Sequence, residues 1–362
     1  MSDLEAIKSS VRNLKAYTLS PHRASVKLNQ NENPWDVTAA IKAETLRRLE
    51  DRKWSRYPDF IPTSLHERLA QFASWTPEGV IAGNGSNELI QALLMVTIND
   101  RKRVLISEPT FALYRQVTTV LGGDVISVPL NKEFKFDVDT ILKVTERSSI
   151  DVVVLCSPNN PTGCVLSDDD LRRLLRVAPG LVVIDEAYHE FAGHSAVPLL
   201  NEFDNLVVLR TFSKAMGLAA LRVGYLLAAP KLATEIRKAL LPYNLNAFSQ
   251  TAAEVCIEMY GGELMPMVQR IIGERERLFN ALSSIGGLSP VPSQANFMIV
   301  KTQIPPKSIF TELLKRDILV RDVSSYPMLD SYFRVNVGTP AENDALIKAL
   351  KEITAAPRTS DE

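Results

Sequence analysis

From Gly79 onward, short apolar runs recur at intervals that leave room for a helix between most of them. That rhythm limits the fold more than any other feature of the chain. The runs cover residues 80–82, 104–106, 125–128, 152–156, 181–184, 206–209 and 223–228 and are rich in Val, Ile and Leu. Such runs read as buried strands, and strands alternating with helices read as an α/β fold with a largely parallel sheet. After Tyr225 the rhythm changes. Helical patterns at 232–241, 249–259 and 265–283 lead to strand-like segments at 296–300, 318–322 and 333–337, with a helical pattern at 309–315 and a last one at 342–354. This part reads as a smaller α+β domain. At 362 residues the chain is long for one core, so two domains are expected. The division read from the sequence is an N-terminal arm (1–35) that contributes to the small domain, a large domain (36–245), a C-terminal small domain (246–355) and a disordered tail (356–362).

Bulk properties exclude several classes of function. A net charge of −1 gives no electrostatic footprint for nucleic acid or an acidic membrane. No apolar run approaches the roughly 20 residues of a membrane span, and the N-terminus has no signal-peptide core. The three cysteines, Cys156, Cys164 and Cys256, form neither a disulfide framework nor a metal spacing. A reducing cytoplasm fits them best. The four histidines show no paired-ligand pattern, so no catalytic metal is expected.

The chemistry-bearing residues sit where the apolar runs stop. After the run 206–209 come Thr211, Ser213 and Lys214, and then Arg222 just before the next run. Two hydroxyls, an amine and a guanidinium at one strand end suit an anion held beside a nucleophile. Taken alone, a Ser–Lys pair there is an ordinary surface loop. The segment Gly83-Asn-Gly-Ser-Asn-Glu88 follows a strand and opens a helix, where glycines let backbone N–H groups turn toward one anion. Ser86 and Asn87 would supply them. Glu88 stands where the dinucleotide-binding fingerprint needs its third glycine, which removes a nicotinamide-dependent dehydrogenase. Phe111 can stack on a flat ligand, Ser157-Pro-Asn-Asn-Pro-Thr-Gly163 presents the Asn160 amide, and the run 181–184 ends in Asp185, with Tyr188 close behind. A carboxylate directly after buried β-branched residues is costly unless it is paired.

In α/β sheets, ligands bind outside the carboxyl ends of the strands. The set gathered there matches pyridoxal 5′-phosphate: a lysine to condense with its aldehyde, a seat for its phosphate, an acid for its ring nitrogen and donors for its phenolic oxygen.

The sequence resembles the fold-type I pyridoxal-phosphate-dependent aminotransferases, and among them the histidinol-phosphate aminotransferase family. LNQNENPW, RYPD, GNGSNE, EPTFALY, SPNNPTG, VVIDEAY, RTFSKAMGLAALRVGY, QANF, ILVRD and FRVNVG occur in family order across nearly the whole chain. The resemblance implies that Lys214 holds the cofactor and shuttles the proton, and that Asp185 faces the ring nitrogen. It puts Asn160 and Tyr188 on the ring oxygen and Phe111 on the ring face, where many members carry tyrosine. It assigns Ser86, Asn87, Thr211, Ser213 and Arg222 to the phosphate. It sends Tyr57 to the phosphate of a neighbouring subunit in a homodimer, and it puts Tyr17, Asn31, Arg321 and Arg334 at the substrate end. The implied reaction moves an amino group between L-histidinol phosphate and 2-oxoglutarate, giving imidazole-acetol phosphate and glutamate in histidine biosynthesis. An aromatic amino-acid aminotransferase and an amino-acid phosphate decarboxylase share the scaffold, and a non-catalytic cofactor-binding protein is the alternative of another class.

Overall fold

The computed structural model describes residues 4–16 and 21–355. In chain order its strands are β1 (Val26–Lys27), β2 (Val80–Gly83), β3 (Arg103–Glu108), β4 (Asp124–Pro129), β5 (Val152–Cys156), β6 (Leu181–Asp185), β7 (Leu206–Thr211), β8 (Gly224–Ala228), β9 (Leu288–Pro290), β10 (Phe297–Thr302), β11 (Ile318–Leu319), β12 (Arg321–Asp322) and β13 (Tyr332–Asn336). All seven apolar runs become strands of one sheet, ordered β2-β8-β7-β6-β5-β3-β4. Every pairing between β7 and β4 is parallel, while β8 runs antiparallel to both of its neighbours, β2 and β7.

Burial explains why these runs are continuous rather than alternating. Val153 and Leu155 join one core cluster, whereas Val152, Val154 and Cys156 of the same strand join another. Successive side chains of a strand point to opposite faces, so a sheet covered on both sides needs apolar residues at every position. One cover is the helix Ser86–Thr97, with Leu89, Ile90, Leu93 and Leu94 buried. Another is the helix Asp168–Val177, whose Ser167 cap accepts from the Asp170 N–H, followed by three acidic residues in the first turn.

A second sheet, β12-β13-β10-β9, is antiparallel throughout. Met298, Val300, Phe333 and Val335 pack there with Leu278, Leu282, Leu346 and Leu350 in a third cluster. Leu28 of the arm joins the same cluster, and β1 pairs in parallel with β11. The segment read as one strand at 318–322 is divided between two sheets, β11 pairing with the arm and β12 with β13. Among the described residues no helix is long and apolar enough to cross a membrane, no cluster of metal-ligating side chains occurs, and all three cysteines are free.

Candidate active site

A cavity of about 210 Å³ opens where the ends of β5, β6 and β7 meet the arm and the second sheet. Its anion seat comes from two glycines that let two backbones approach. Gly85 takes a positive φ of 79°, and a Cβ there would lie 2.5 Å from Arg222 Nη2. Across from it, a Cβ on Gly224 would lie 2.3 Å from the Ser86 nitrogen. No side chain caps the helix that starts at Ser86, so the positive end of its dipole is left for a ligand. Glu88 turns away: its Oε2 accepts from the Asn84 N–H at 2.6 Å and from Asn244 Nδ2 at 2.7 Å.

The reversed direction of β8 brings Arg222 to this end of the sheet. Gly224, the first residue of β8, registers with Thr211, the last of β7. Arg222 Nη1 donates to Ser213 Oγ at 3.0 Å, and the Ser213 N–H donates to Thr211 Oγ1 at 3.2 Å. No carboxylate of the described residues forms an ion pair with Arg222. Hydroxyls, guanidinium and helix end thus face one point with their charge uncompensated.

Lys214 lies on the loop after β7, half-buried, with Nζ donating to the Gln30 carbonyl at 2.9 Å. Burial, and then the nearby Arg334 guanidinium, pull its amine down to about 8. Asp185 ends β6 at 3 % exposure. Its Oδ2 accepts from the Tyr114 hydroxyl at 2.6 Å and its Oδ1 from the Ala187 N–H at 3.1 Å. Burial still pushes this carboxyl up to about 6, so it favours a cation beside it. Tyr188 is buried, accepts from Asn31 Nδ2 at 3.1 Å, and packs its ring edge-on to Phe297. Burial raises its phenol too, keeping it neutral.

On the opposite wall Arg321 and Arg334 are directly paired residues of β12 and β13. Like charges facing each other across a sheet are unfavourable without an anion between them. Arg334 is held by Asn160 Oδ1 at 2.5 Å and the Asn29 carbonyl at 2.8 Å, with its guanidinium 5.3 Å from the Phe297 ring centre. Asp322 does not neutralise Arg321; its carboxylate accepts from the Ser324 N–H at 2.9 Å. Asn29 and Asn31 line the cavity, and their side-chain oxygens are buried without a hydrogen-bond partner. A buried orphan acceptor is costly, so both await a donor.

Comparison with known proteins gives the chain its family. The profile of the family described as aminotransferase class I and II matches residues 23–350. The chain belongs to that family. A histidinol-phosphate aminotransferase of Chlorobium luteolum is 38 % identical over 346 residues, covering 95 % of this chain and 96 % of its own. One from Chlorobium phaeovibrioides is 37 % identical over 349 residues, covering 96 % of each. Among solved structures, the histidinol-phosphate aminotransferase of Sinorhizobium meliloti in complex with pyridoxal-5′-phosphate shares the fold at TM-score 0.88 and 23 % identity, covering 98 % of both chains. This is the fold-type I architecture.

In this aminotransferase the cavity gathers Asn31, Ser86, Asn87, Phe111, Asn160, Asp185, Tyr188, Thr211, Ser213, Lys214, Arg222, Arg321 and Arg334. Tyr57 is apart from it. That ring is 80 % exposed, stacks on Tyr243 at 4.5 Å between centres, and lines a separate groove with Trp54 and Phe248. Tyr17 lies outside the described residues. Sequence reading passed over Tyr114, Asn29, Gln30, Cys156 and Tyr326, which also line the cavity. Tyr114 had a visible signal, since it lies three residues beyond Phe111 at helical spacing. The Gln30 contact had none, because its carbonyl does the holding.

Proposed function

We propose that the chain transfers an amino group between L-histidinol phosphate and 2-oxoglutarate with pyridoxal 5′-phosphate as cofactor, yielding imidazole-acetol phosphate and L-glutamate in histidine biosynthesis. The relatives' shared activity at nearly full coverage supports this reading. The observation that carries it is the facing pair Arg321 and Arg334 across one cavity from Lys214. Two guanidinium groups suit a doubly charged phosphate and also bind a carboxylate bidentately, so one site can serve both substrates in turn.

The donor set fits the cofactor. The uncompensated seat of Ser86, Asn87, Thr211, Ser213 and Arg222 would hold its phosphate, Asp185 its ring nitrogen, Asn160 and Tyr188 its phenolic oxygen, and Phe111 one ring face. When bound, pyridoxal phosphate supplies an aldehyde that condenses with amines and a ring that withdraws electrons. Lys214 then takes and returns the proton on the substrate carbon. An amine at about 8 is partly neutral near pH 7, as a base requires, and its conjugate acid still gives the proton back. Gln30 keeps that amine in place through its carbonyl, and Arg334 fixes the anionic end of the substrate.

The same reading divides the chain into the arm, large domain and small domain stated above, and the tail at 356–362 lies outside the described residues. Support for the arm and the later part of the small domain comes from the third core cluster, which takes its residues from the arm and from positions beyond 277, whereas Ala252, Val255, Cys256 and Ile271 pack into the clusters of the large sheet. It also makes the enzyme a cytoplasmic homodimer, with free cysteines and an exposed aromatic surface of Trp54, Tyr57 and Phe60 in support. In that dimer Tyr57 reaches the partner's phosphate seat. Mixing Tyr57→Ala with Lys214→Ala protein under conditions of proven exchange should restore activity through one intact site per hybrid. No recovery would assign Tyr57 to its own subunit.

Steady-state rates test the substrate. Histidinol phosphate should exceed phenylalanine and tyrosine in kcat/KM, with 2-oxoglutarate accepting the amino group. Faster turnover of phenylalanine or tyrosine makes the protein an aromatic aminotransferase, and release of carbon dioxide from an amino-acid phosphate makes it a decarboxylase. Absence of any transamination would leave a cofactor-binding protein without catalysis.

A further inference from the structure

The turn that carries Phe111 also carries a phenol with no role so far. Tyr114 lies in the first turn of the helix Leu113–Leu121, fully buried, with its ring edge-on to Phe111 at 5.6 Å between centres. Its hydroxyl is the one side-chain donor to Asp185 among the described residues. The remaining donor, the Ala187 N–H, is main chain and takes the other carboxylate oxygen. Each oxygen is thereby fixed by one bond and keeps lone-pair capacity for another partner. Cys156 lies beside both groups as the register partner of Asp185 on β5, with its thiol donating to the Pro158 carbonyl at 3.2 Å.

We propose that Tyr114 is a positioning residue for the cofactor ring: its phenol holds the Asp185 carboxylate oriented and charged, ready for a protonated ring nitrogen. The proposal rests on the reading that pyridoxal phosphate occupies this cavity. Several groups act on the Asp185 charge. Burial and Glu186 disfavour it, whereas the Tyr114 hydroxyl, the Ala187 N–H and Lys214 favour it, and Tyr114 is the strongest of these. Burial and the Asp185 charge hold the phenol itself far above its ordinary range, and Cys156 is raised as well. Both therefore stay protonated, so Tyr114 remains a donor and neither adds a competing negative charge. With Phe111 three residues earlier, in the turn that leads into the helix, one short segment sets both the plate for the ring and the acid for its nitrogen.

Tyr114→Phe removes the oxygen and keeps the ring. In the apoenzyme, difference infrared spectra against Asp185→Asn in each background follow the Asp185 carboxylic acid band with pH. The midpoint should rise by about one unit in Tyr114→Phe, a tenfold change in acidity. Pyridoxal phosphate retention, by equilibrium dialysis, should weaken roughly tenfold. A midpoint and an affinity both equal to wild type would overturn the proposal. Should Tyr114→Phe fail to fold, 3-fluorotyrosine at position 114 keeps the shape and donates more strongly. It should lower the midpoint, and an unchanged midpoint counts against Tyr114. No substrate is present in these measurements, so failure of the histidinol-phosphate assignment leaves them unaltered. Cofactor binding by Asp185→Asn as tight as wild type would overturn both the cavity reading and the proposal.

Discussion

The two walls of the cavity are built differently. On the sheet side, Lys214, Asp185 and the anion seat hang from the ends of strands buried at every residue but Leu181. The hydrogen bonds of Asp185 and the anion seat run to neighbours on the same scaffold, and only Lys214 reaches across, to the Gln30 carbonyl. On the arm side, Asn29 and Asn31 are buried with side-chain oxygens unpaired, and Arg321 faces Arg334 across a strand pair. A rigid wall suits chemistry, which tolerates little displacement of reacting groups. A wall with unmet donors and acceptors suits recognition, because only a ligand can complete it.

The sharpest break of that contrast is at Lys214. Lys214→Ala should cost at least about a thousandfold in kcat, since no other amine is placed to move the proton. Single-turnover kinetics would measure it, and a tenfold loss would mean another group does the work. The same residue should show that the sheet wall gives up stability for function. In the apoenzyme its folded value near 8 lies below the ordinary 10.5, so below pH 8 the folded state carries a largely desolvated charge at a cost. Lys214→Met should therefore be more stable than wild type at pH 7 by about 2–3 kcal/mol. Between pH 8 and 10.5 the unfolded chain holds the extra proton, so wild-type stability rises with pH and the gap closes. Urea titrations across that range check both the sign and the window.

On the arm side smaller losses should follow, and they should appear in recognition. Arg334→Lys should lower kcat/KM for histidinol phosphate and for glutamate alike, by roughly ten- to a hundredfold, because an ammonium cannot reproduce the guanidinium fork. A loss confined to one half-reaction would show that the two substrates use separate anion sites. Asn29→Leu is the subtlest. Removing an orphan oxygen should leave the apoenzyme's Tm unchanged or higher while kcat/KM falls about tenfold. A lower Tm with intact kinetics would make Asn29 a structural residue.

The same contrast explains what the sequence could reveal. The sheet was legible because burial on both faces writes itself as unbroken β-branched runs, and the site residues sit at their ends. Lys214, Asp185 and Arg222 could be found from position alone. The direction of β8 could not, since an apolar run looks the same in either sense. Nor could the division of 318–322 between two sheets, which follows from pairing with Val26, far away in the chain, on one side and with Arg334 on the other. The motif singles out Tyr57, but its place on an exposed surface, away from the cavity of its own chain, is visible only in the fold.

Two main-chain contacts shape how such a chain can drift over time. Lys214 and Arg334 are held by the carbonyl oxygens of Gln30 and Asn29, groups that every residue carries. Replacing the side chain at position 30 leaves the atom that receives the lysine in place, so long as the backbone path persists. Mutational scanning at that position should therefore tolerate many residues while rejecting proline at Asn31, whose N–H donates to Asn336 Oδ1 and whose φ of 55° a pyrrolidine ring cannot adopt. What is inherited there is the course of the chain, and many different letters can spell it.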